Sequence, residues 1–398
     1  MAIKLSDTGP VADSTLARAP GVLQVLPSLL TGGVERGTID VAAALTAAGW
    51  RAVVVSAGGP LVREVERAGA IHVPLPVDSK NPLVMWGNIR RLAALAREHR
   101  IDIIHARSRA PAWSARGAAR RAGAHFITTF HGTYNAQNPL KKLYNAVMAK
   151  GERVIAISDF IGRHVTSEYG ADPARVRVIP RGIDLTMFDR AAVTPERMIQ
   201  LAQAWRLEDG IPVVMLPGRL TDWKGQAVMI HAIARLGRKD LRCVLVGDDQ
   251  GRVAYRKRLE DEIERLDLAS VVHIVGHCND MPAAYMLADI VVSASTDPEA
   301  FGRVAAEAQA LGRLVVATDH GASRETVIDG VTGWLVAPDD AEALAQGLRV
   351  ALATPPRGRE AMMACAIAHA REKFSKTRMC ADTLALYGEL LREGGARV

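Results

Sequence analysis

Two acidic residues with a fixed spacing follow one apolar run in the second half of the chain. The run at 289–294 leads into a polar loop that contains Glu299, and Glu307 lies eight residues further on. A carboxylate that accepts hydrogen bonds from two adjacent hydroxyls is the usual way in which a protein holds a ribose. Two glutamates at this distance also occur by chance in a helix. The backbone amides of this loop that could bind hydroxyls or an anion are those of Ala300, Phe301 and Gly302.

A second segment, 217–225, places two cations around a predicted turn. Arg219 and Lys224 bracket this turn, which leads into a helix, so both side chains can converge on one anion. The guanidinium offers a planar fork and the ammonium a point charge, and a phosphate suits both. Cations near a helix start are also common as ordinary surface residues, and these two residues alone leave both interpretations open.

Two segments of the first half have similar positions after predicted strands. Gly32 and Gly33 open a helix, where backbone amides can approach an anion closely. His131 ends the strand at 126–130, and a histidine there can bind a sugar hydroxyl or stabilise developing charge. A tight turn and a structural histidine explain these residues equally well. The chain contains neither GxGxxG nor GxxxxGK[ST], which excludes the common dinucleotide and P-loop motifs.

Short runs rich in Val and Ile alternate with helix-like stretches, and this alternation predicts βαβ units and parallel sheets. Strands are predicted at 22–27, 51–56, 71–75, 101–106, 126–130, 153–158 and 177–180. The helices predicted between them are 34–48, 60–68, 85–99, 110–122 and 139–149. After a polar stretch at 181–210, further strands are predicted at 212–217, 242–247, 271–276, 289–294, 313–318 and 334–338. Two such series predict two doubly wound α/β domains that face a cleft.

Length and composition limit the class of protein. At roughly 100–200 residues per domain, 398 residues allow two or three domains. The 49% of hydrophobic residues is typical of a globular protein, and no apolar run reaches the roughly 20 residues that span a bilayer. Residues 1–20 lack the apolar block of a signal peptide, so we expect a cytoplasmic protein. The four cysteines show no disulfide or zinc spacing and are predicted to be reduced and mostly buried.

Charge is distributed unevenly along the chain. Residues 1–190 contain 25 Lys and Arg against 15 Asp and Glu, whereas the remainder has 25 against 28. A basic domain suits nucleic acid, an anionic membrane or a phosphorylated small molecule, and a solvated face is the alternative. Nucleic acid is disfavoured, because the few aromatic residues do not interleave the basic clusters.

One predicted helix of the first half combines cations with an apolar stripe. Within 139–150, Lys141, Lys142 and Lys150 accompany Leu, Tyr, Val and Met residues at helical spacing. Such a helix can lie on anionic lipid, although a stripe of this kind can also face the core. A second basic cluster consists of Arg107, Arg109, Arg116, Arg120 and Arg121.

Taken together, these segments resemble the retaining glycosyltransferases of family 4 (group 1), which have the GT-B fold. Glu299 and Glu307 match the Glu-x7-Glu signature of that family, and the other matches occur in the expected order along nearly the whole chain. These other matches are Gly32-Gly33, Phe130-His131-Gly132, the strand that ends at Ser158, 178–184, Gly218-Arg219, Lys224-Gly225, 245–248 and 321–340. The departures from the usual family residues are Arg181, Ala300, Arg303 and Ala322, of which Arg303 could alter the choice of sugar.

The resemblance implies how a nucleotide-sugar donor is bound. Arg219 and Lys224 would neutralise its diphosphate without a metal or other cofactor, in keeping with the lack of an Asp-x-Asp motif. Gly33 would offer backbone donors to the phosphate or the acceptor, and Gly218 would belong to the donor-binding residues. His131 would contact the transferred sugar.

The remaining implied contacts concern the ribose, the sugar and the base. Glu307 would hold the ribose hydroxyls, while Glu299 and the amides of Ala300, Phe301 and Gly302 would orient the donor sugar. The base would stack near Gly276, His277 and Met281. By the same resemblance, the C-terminal helix crosses back to the first domain.

The predicted protein is therefore a retaining, metal-independent hexosyltransferase that uses a UDP- or GDP-sugar. Its acceptor is predicted to be a saccharide or a lipid-linked saccharide of lipopolysaccharide or exopolysaccharide synthesis. The first domain would bind this acceptor near Gly32 and the lysines of 139–150. The protein would then make peripheral contact with the inner face of the membrane. A nucleotide-sugar epimerase of the same fold and a non-catalytic nucleotide-sugar-binding protein are the alternatives. The predicted organisation is a disordered tail (1–20), an acceptor domain (21–190), a donor domain (191–375) and a crossover helix (376–398).

Overall fold

Two parallel β-sheets organise the residues that the computed structural model describes, which are 18–30, 32–134 and 138–395. The first unit contains the described residues up to Ile179 and those from Met379 onward, and the second unit is Pro180–Arg378. Most of the predicted N-terminal tail, 1–17, lies outside the described residues.

The first unit has a sheet of seven strands in the order β3-β2-β1-β4-β5-β6-β7, and all its pairings are parallel. Gln24 of the first strand pairs with Val54 on one side and with His105 on the other. The strands are β1 (Gly21–Val25), β2 (Arg51–Ser56), β3 (Ile71–Pro74), β4 (Ile103–Ala106), β5 (His125–Phe130), β6 (Arg153–Ala156) and β7 (Val176–Val178). The helices are α1 (Gly33–Ala47), α2 (Val62–Arg67), α3 (Pro82–Glu98), α4 (Arg109–Ala122), α5 (Pro139–Asn145) and α6 (Asp159–Tyr169).

The second unit has a sheet of six parallel strands in the order β10-β9-β8-β11-β12-β13. Its strands are β8 (Val213–Pro217), β9 (Arg242–Val246), β10 (Val272–Gly276), β11 (Ile290–Ser293), β12 (Leu314–Thr318) and β13 (Trp334–Val336). Its helices are α7 (Pro195–Ala204), α8 (Gln226–Leu236), α9 (Val253–Arg265), α10 (Met281–Leu287), α11 (Arg303–Ala310), α12 (Ser323–Thr326), α13 (Ala341–Ala353) and α14 (Pro356–Lys373). The last helix, α15 (Lys376–Gly395), passes from the second unit into the first.

The central strands are buried along their whole length, as expected where helices cover both faces of a parallel sheet. Every residue of β1, β8 and β12 is buried. In the first unit, Leu386, Tyr387 and Leu390 of α15 belong to the same core cluster as the apolar residues of β1 and α1. The expectation that the C-terminal helix returns to the first domain is confirmed from Met379 onward.

Each of the predicted strands matches an observed strand, whereas three local expectations differ from the structure. The polar stretch 181–210 contains α7, which the sequence analysis left without an element. The helix predicted at 139–149 is α5 followed by a short 3₁₀ helix, Ala146–Lys150. Where the helix type changes, the Tyr144 carbonyl accepts a hydrogen bond from the indole of Trp113 (3.2 Å). Cys365 is exposed on α14 and Cys278 is half-buried, so only Cys243 and Cys380 are buried.

The boundary between the units also differs from the one predicted at 190. Residues 180–190 belong to the second unit because the segment after β7 is hydrogen-bonded to residues near the C-terminal end of that unit. The amide of Ile183 donates to the carbonyl of Phe374 (2.7 Å), and the amide of Lys376 donates back to Ile183 (2.9 Å). An ion pair between Asp184 and Lys376 (2.6 Å) adds to this connection. Although burial acts in the opposite direction, this pair and the hydrogen bonds from Thr186 lower the pKa of Asp184 to about 2.

Among the described residues, we find no helix that combines the length and the apolar character needed to cross a bilayer.

Candidate functional site

The site of the second unit lies where the order of its strands reverses. The strands β8 and β11 are neighbours there, and the crevice beyond the carboxyl ends of such a pair is where open α/β sheets bind ligands. The two loops that follow these strands contact each other. The amide of Thr296 donates to the carbonyl of Trp223 (2.9 Å), so the cationic and acidic segments predicted from the sequence lie side by side.

Lys224 and Glu299 are brought together by this contact. Their side chains form an ion pair and are only 16% and 13% exposed. Ser295 donates to the same carboxylate oxygen of Glu299 (2.5 Å), and the Lys224 ammonium lies 4.2 Å from the centre of the Trp223 ring. The pair thus holds one cation and one carboxylate in a partly dehydrated place, where an arriving anion would compete with Glu299 for Lys224.

Two glycines make this arrangement sterically possible. Gly225 has a φ of +73°, and a Cβ there would lie 1.9 Å from the carbonyl oxygen of Ala294. Gly321 has a φ of +60°, and a Cβ there would lie 2.5 Å from the carbonyl oxygen of Glu299. The next amide, that of Ala322, donates to this same carbonyl (2.8 Å). The loop after β12 therefore fixes the backbone of Glu299, a contact that its sequence motif did not reveal.

Glu307 lies on α11 and is buried. The hydroxyl of Tyr285 donates to one of its carboxylate oxygens (3.0 Å), and Arg303 forms an ion pair with the other (3.5 Å). Burial raises the pKa of Glu307, against the smaller opposing effects of the Arg303 charge and the Tyr285 hydrogen bond. The sequence analysis did not identify Tyr285, which appears in the sequence only as one ring within an apolar segment.

Arg219 is held at the carboxyl end of β8 through its backbone. The buried side chain of Gln226 donates to the Arg219 carbonyl (2.9 Å) and in turn accepts a hydrogen bond from the hydroxyl of Tyr255 (3.1 Å). The Arg219 side chain is exposed. It is thus available to a ligand at the same edge of the sheet as Lys224. Gln226 is a second supporting residue that the sequence patterns did not identify.

The predicted base-binding residues occupy the end of β10 and the start of α10. Gly276 accepts a hydrogen bond from the amide of Gly247 (2.7 Å), and a Cβ on Gly247 would lie 1.9 Å from the carbonyl oxygen of Gly218. The ends of β10, β9 and β8 therefore form one continuous rim. His277 is exposed and hydrogen-bonds the side chain of Asn279 (2.9 Å), and Met281 is the first residue of α10.

The other residues of the acidic loop surround the start of α11. Phe301 is buried and packs edge-on against Phe374 (5.4 Å between ring centres). Gly302 precedes the helix with a φ of +83°, and Ala300 is half-buried beside Glu299.

Two predicted segments of the first unit, Gly32-Gly33 and His131, lie at the carboxyl edge of its own sheet, whereas the predicted lysines lie on the connection from β5 to β6. Gly32 precedes α1 and Gly33 is its first residue. His131 follows β5 directly and is half-buried. Lys141 and Lys142 are exposed on α5, and Lys150 is exposed at the end of the 3₁₀ helix.

The apolar stripe of the same segment is divided between core and surface. Val147 and Met148 are buried, whereas Leu140 is 77% and Leu143 is 65% exposed. Exposed leucines beside lysines are the arrangement expected for contact with a lipid surface or a partner.

Two doubly wound parallel sheets, with a C-terminal helix that returns to the first unit, are the architecture of GT-B glycosyltransferases, as the sequence resemblance implied. Residues 31–187 match the family described as Glycosyltransferase Family 4, and residues 199–368 match Glycosyl transferases group 1. The two matches together cover most of the chain, which therefore belongs to the group 1, family 4 glycosyltransferases.

Individual relatives agree with this assignment. D-inositol 3-phosphate glycosyltransferase of Actinosynnema mirum is 36% identical over 61% of this chain and 58% of its own length. The enzyme of the same name from Xylanimonas cellulosilytica is 29% identical over 86% of this chain and 87% of its own length. This chain thus spans little more than half of the length of some curated relatives.

Solved structures give the same result. A glycosyltransferase from Rickettsia africae has a TM-score of 0.88 and 37% identity, covering 94% of this chain and 99% of its own. HepE from Anabaena, solved with UDP-glucose, has a TM-score of 0.80 and 25% identity, covering 92% of this chain and 99% of its own.

Proposed function

We propose that this protein transfers a hexosyl unit from a nucleoside diphosphate sugar to an acceptor hydroxyl and retains the anomeric configuration. The observation that carries this proposal is the Lys224–Glu299 pair at the strand reversal of the second unit, joined there by Arg219. The complex of the related HepE with UDP-glucose supports a donor of this class.

In the proposed mechanism, the diphosphate binds to Arg219 and Lys224, which stabilise the negative charge that develops as it leaves. Lys224 then exchanges Glu299 for phosphate oxygens, and Glu299 accepts hydrogen bonds from the donor sugar. Glu307 holds the ribose hydroxyls. The bond from the anomeric carbon to the diphosphate breaks, the bond to the acceptor oxygen forms on the same face, and the acceptor proton passes to the leaving phosphate.

The first test is a thermal-shift panel of UDP, GDP, ADP and their common sugars on the wild type and on Lys224→Ala. A nucleotide at about 100 times its Kd should stabilise the wild type by roughly 2.7 kcal/mol. Lys224→Ala should lose this shift, because the phosphate charge is then no longer balanced, while the matched variant Lys257→Ala should keep it. Lys257 lies on α9 in an exposed ion pair with Asp261.

The same panel with EDTA tests whether the two cations suffice without a metal, and an undiminished shift is expected. A wild type that no nucleotide stabilises, or a Lys224→Ala variant that responds like the wild type, would contradict the proposed donor site. Product analysis by NMR should then show free nucleoside diphosphate and a retained anomer. Conversion of the sugar without release of nucleoside diphosphate would indicate an epimerase instead, and binding without turnover would indicate a sensor.

We place the acceptor site in the first unit. The relatives named D-inositol 3-phosphate glycosyltransferase support an acceptor that carries a phosphate, whereas the lipopolysaccharide enzymes WaaG and WaaB, at 20% and 14% identity, support the fold alone. A role in lipopolysaccharide or exopolysaccharide synthesis therefore stays a prediction, as do the cytoplasmic location and the membrane contact.

Flotation with anionic liposomes tests that contact. Leu140 and Leu143 are exposed beside Lys141 and Lys142, so a Leu140→Ser/Leu143→Ser variant should float several-fold less than the wild type at low salt. The matched control is Ile199→Ser, which changes an apolar residue of the second unit that is 56% exposed. Failure of the wild type to float would exclude the membrane contact without affecting the donor site.

A further inference from the structure

The carboxylate of Glu307 is held by two different kinds of contact. The hydroxyl of Tyr285 on α10 donates a hydrogen bond to one of its oxygens (3.0 Å). The other oxygen lies 3.5 Å from the Nε of Arg303, one helical turn earlier on α11. This Nε is buried and makes no hydrogen bond among the residues that the structure describes. The charge of Arg303 therefore acts on Glu307 without a hydrogen bond from its Nε to the lone pairs of the nearer oxygen.

The two members of this ion pair differ in their access to solvent. The Glu307 side chain is only 11% exposed, whereas that of Arg303 is 38% exposed. Burial disfavours the charged form of a carboxylic acid relative to its protonated form. Arg303 keeps part of its own hydration, so it supplies a positive charge at a smaller desolvation cost than a fully buried cation would. Such a pair favours the ionised form of a buried acid.

The ionisation of Glu307 depends on few groups. The elements that pack against α11 are β11, β12, α12 and α14, and the two strands contain no titratable side chain. Burial raises the pKa of Glu307, and the described residues that lower it are Arg303 and then Tyr285, with no contribution from α12 or α14. The pKa of the Tyr285 hydroxyl lies well above its usual range because of burial and the neighbouring carboxylate, so this group stays neutral.

We propose that Arg303 is a positioning residue of the donor site, whose charge keeps the Glu307 carboxylate ionised and leaves one of its oxygens open to the ribose hydroxyls. The inference rests on the proposed function, which assigns Glu307 to the ribose. An ionised carboxylate accepts hydrogen bonds from two adjacent hydroxyls, whereas a protonated acid turns one of its oxygens into a donor. The nucleotide sugar therefore binds to the ionised form and loses affinity when Glu307 takes up a proton.

This role concerns the nucleotide rather than the transferred sugar. Arg303 contacts Glu307, while Glu299 pairs with Lys224. The sequence alone suggested that Arg303 could alter the choice of sugar, but its contact in the structure is with the residue proposed to hold the ribose.

Calorimetric titration of the full chain between pH 5 and pH 8.5 tests the proposal. The probe is whichever of UDP-glucose, GDP-mannose and ADP-glucose gives the largest thermal shift in the panel above. In each of these probes the diphosphate is esterified at both ends, so it lacks the second phosphate ionisation near pH 6 and keeps a constant charge. The pH dependence of Kd then reports on groups of the protein.

Two variants, Arg303→Met and Arg303→Gln, remove the charge, and Arg303→Lys keeps it. The matched control is Arg256→Met on α9, because the Arg256 side chain is 37% exposed and pairs with Glu260 four residues later. Arg303→Met is also combined with Glu307→Gln, which removes the group that titrates.

The affinity of Arg303→Met and Arg303→Gln should begin to fall at a pH about one unit or more above that of the wild type, because a nearby opposite charge favours the ionised acid by that amount. Their difference from the wild type should shrink as the pH rises. Arg303→Lys should restore most of the wild-type profile, and Arg256→Met should follow the wild type throughout.

In the Glu307→Gln background, loss of the Arg303 charge should no longer move the profile, since the two residues act as a pair. A direct contact of Arg303 with the nucleotide would instead weaken binding by a constant factor at every pH and in both backgrounds, and this result would overturn the inference. Identical profiles of the wild type and Arg303→Met would overturn it as well. A wild type that binds none of the probes refutes the proposed function, whereas normal binding by the wild type with an unmoved Arg303→Met profile refutes the role of Arg303 alone.

Discussion

At the scale of residues, the site combines charges that could be predicted with supporting groups that could not. Arg219, Lys224, Glu299 and Glu307 follow predicted strands, where ligand-binding residues of α/β proteins are expected. Tyr285 contacts Glu307 from a different helix, at a separation of 22 residues. Since no local pattern connects two such positions, this hydrogen bond became evident only in the structure.

Glu307 offers a prediction that separates stability from ligand binding. Burial raises its pKa in the folded protein, so the ionised carboxylate opposes folding above that pKa, and this cost disappears as the pH falls toward the unfolded value. Glu307→Gln should therefore be more stable than the wild type toward urea at pH 7 to 8, with a gain that shrinks on acidification. If Glu307 holds the ribose as proposed, the variant should bind UDP about tenfold more weakly, because a charged acceptor of hydroxyl hydrogen bonds is lost.

Urea unfolding at several pH values and the UDP thermal shift measure both effects. Glu342→Gln, which changes a side chain 62% exposed on α13, should alter the stability by no more than about 0.5 kcal/mol. A Glu307→Gln variant that is less stable than the wild type at pH 7 would contradict the stated cost of burial.

At the scale of elements, the junction between the loop after β8 and α8 determines where Lys224 lies. Gly225 adopts a left-handed conformation with no room for a side chain, whereas Gly237, at the other end of α8, has a similar φ of +67° and nothing within 4 Å of the position that a Cβ would occupy. The two glycines therefore differ in the free space around the position of a Cβ rather than in backbone conformation. Comparing them separates the steric effect from the conformational one.

Gly237→Ala should lower the free energy of unfolding by about 1–2 kcal/mol, the cost of a left-handed alanine. Gly225→Ala should cost about 2–4 kcal/mol, because the new methyl group must also displace the backbone at Ala294. This variant should also lose UDP binding, since the loop that holds Lys224 moves. Urea unfolding and calorimetry measure these values, and equal losses in the two variants would refute the steric argument.

At the scale of the whole molecule, the first unit is assembled from both ends of the chain. His105 of β4 is fully buried and hydrogen-bonds Tyr387 of α15 (2.6 Å) and Thr129 of β5 (2.7 Å). Burial, assisted by the charge of Arg107, holds the pKa of His105 well below its usual range. The histidine is thus neutral in the folded protein and becomes charged only when the unit opens.

Above the pKa of about 6.5 that a histidine has in the unfolded chain, His105 is neutral in both states and adds no pH dependence. Below that pH, the unfolded chain takes up a proton that the folded protein does not, so the free energy of unfolding falls by up to about 1.4 kcal/mol per pH unit. In the wild type, the free energy of unfolding should therefore decrease between pH 7 and pH 5. His105→Gln should show a shallower decrease, and His277→Gln, which changes an exposed histidine, should follow the wild type. Parallel profiles for the wild type and His105→Gln would refute this assignment.

The sequence by itself determined the strands, several helices of the first unit, the two-sheet organisation and the segments of the proposed donor site. These features follow from local patterns, namely apolar runs, turn residues and polar groups directly after strands. The tertiary structure alone decided the strand orders, the pairing of Lys224 with Glu299 and the attachment of residues 180–190 to the second unit. Each of these joins residues that are far apart along the chain, and such contacts depend on how the elements pack rather than on the residues that surround each of them in the sequence.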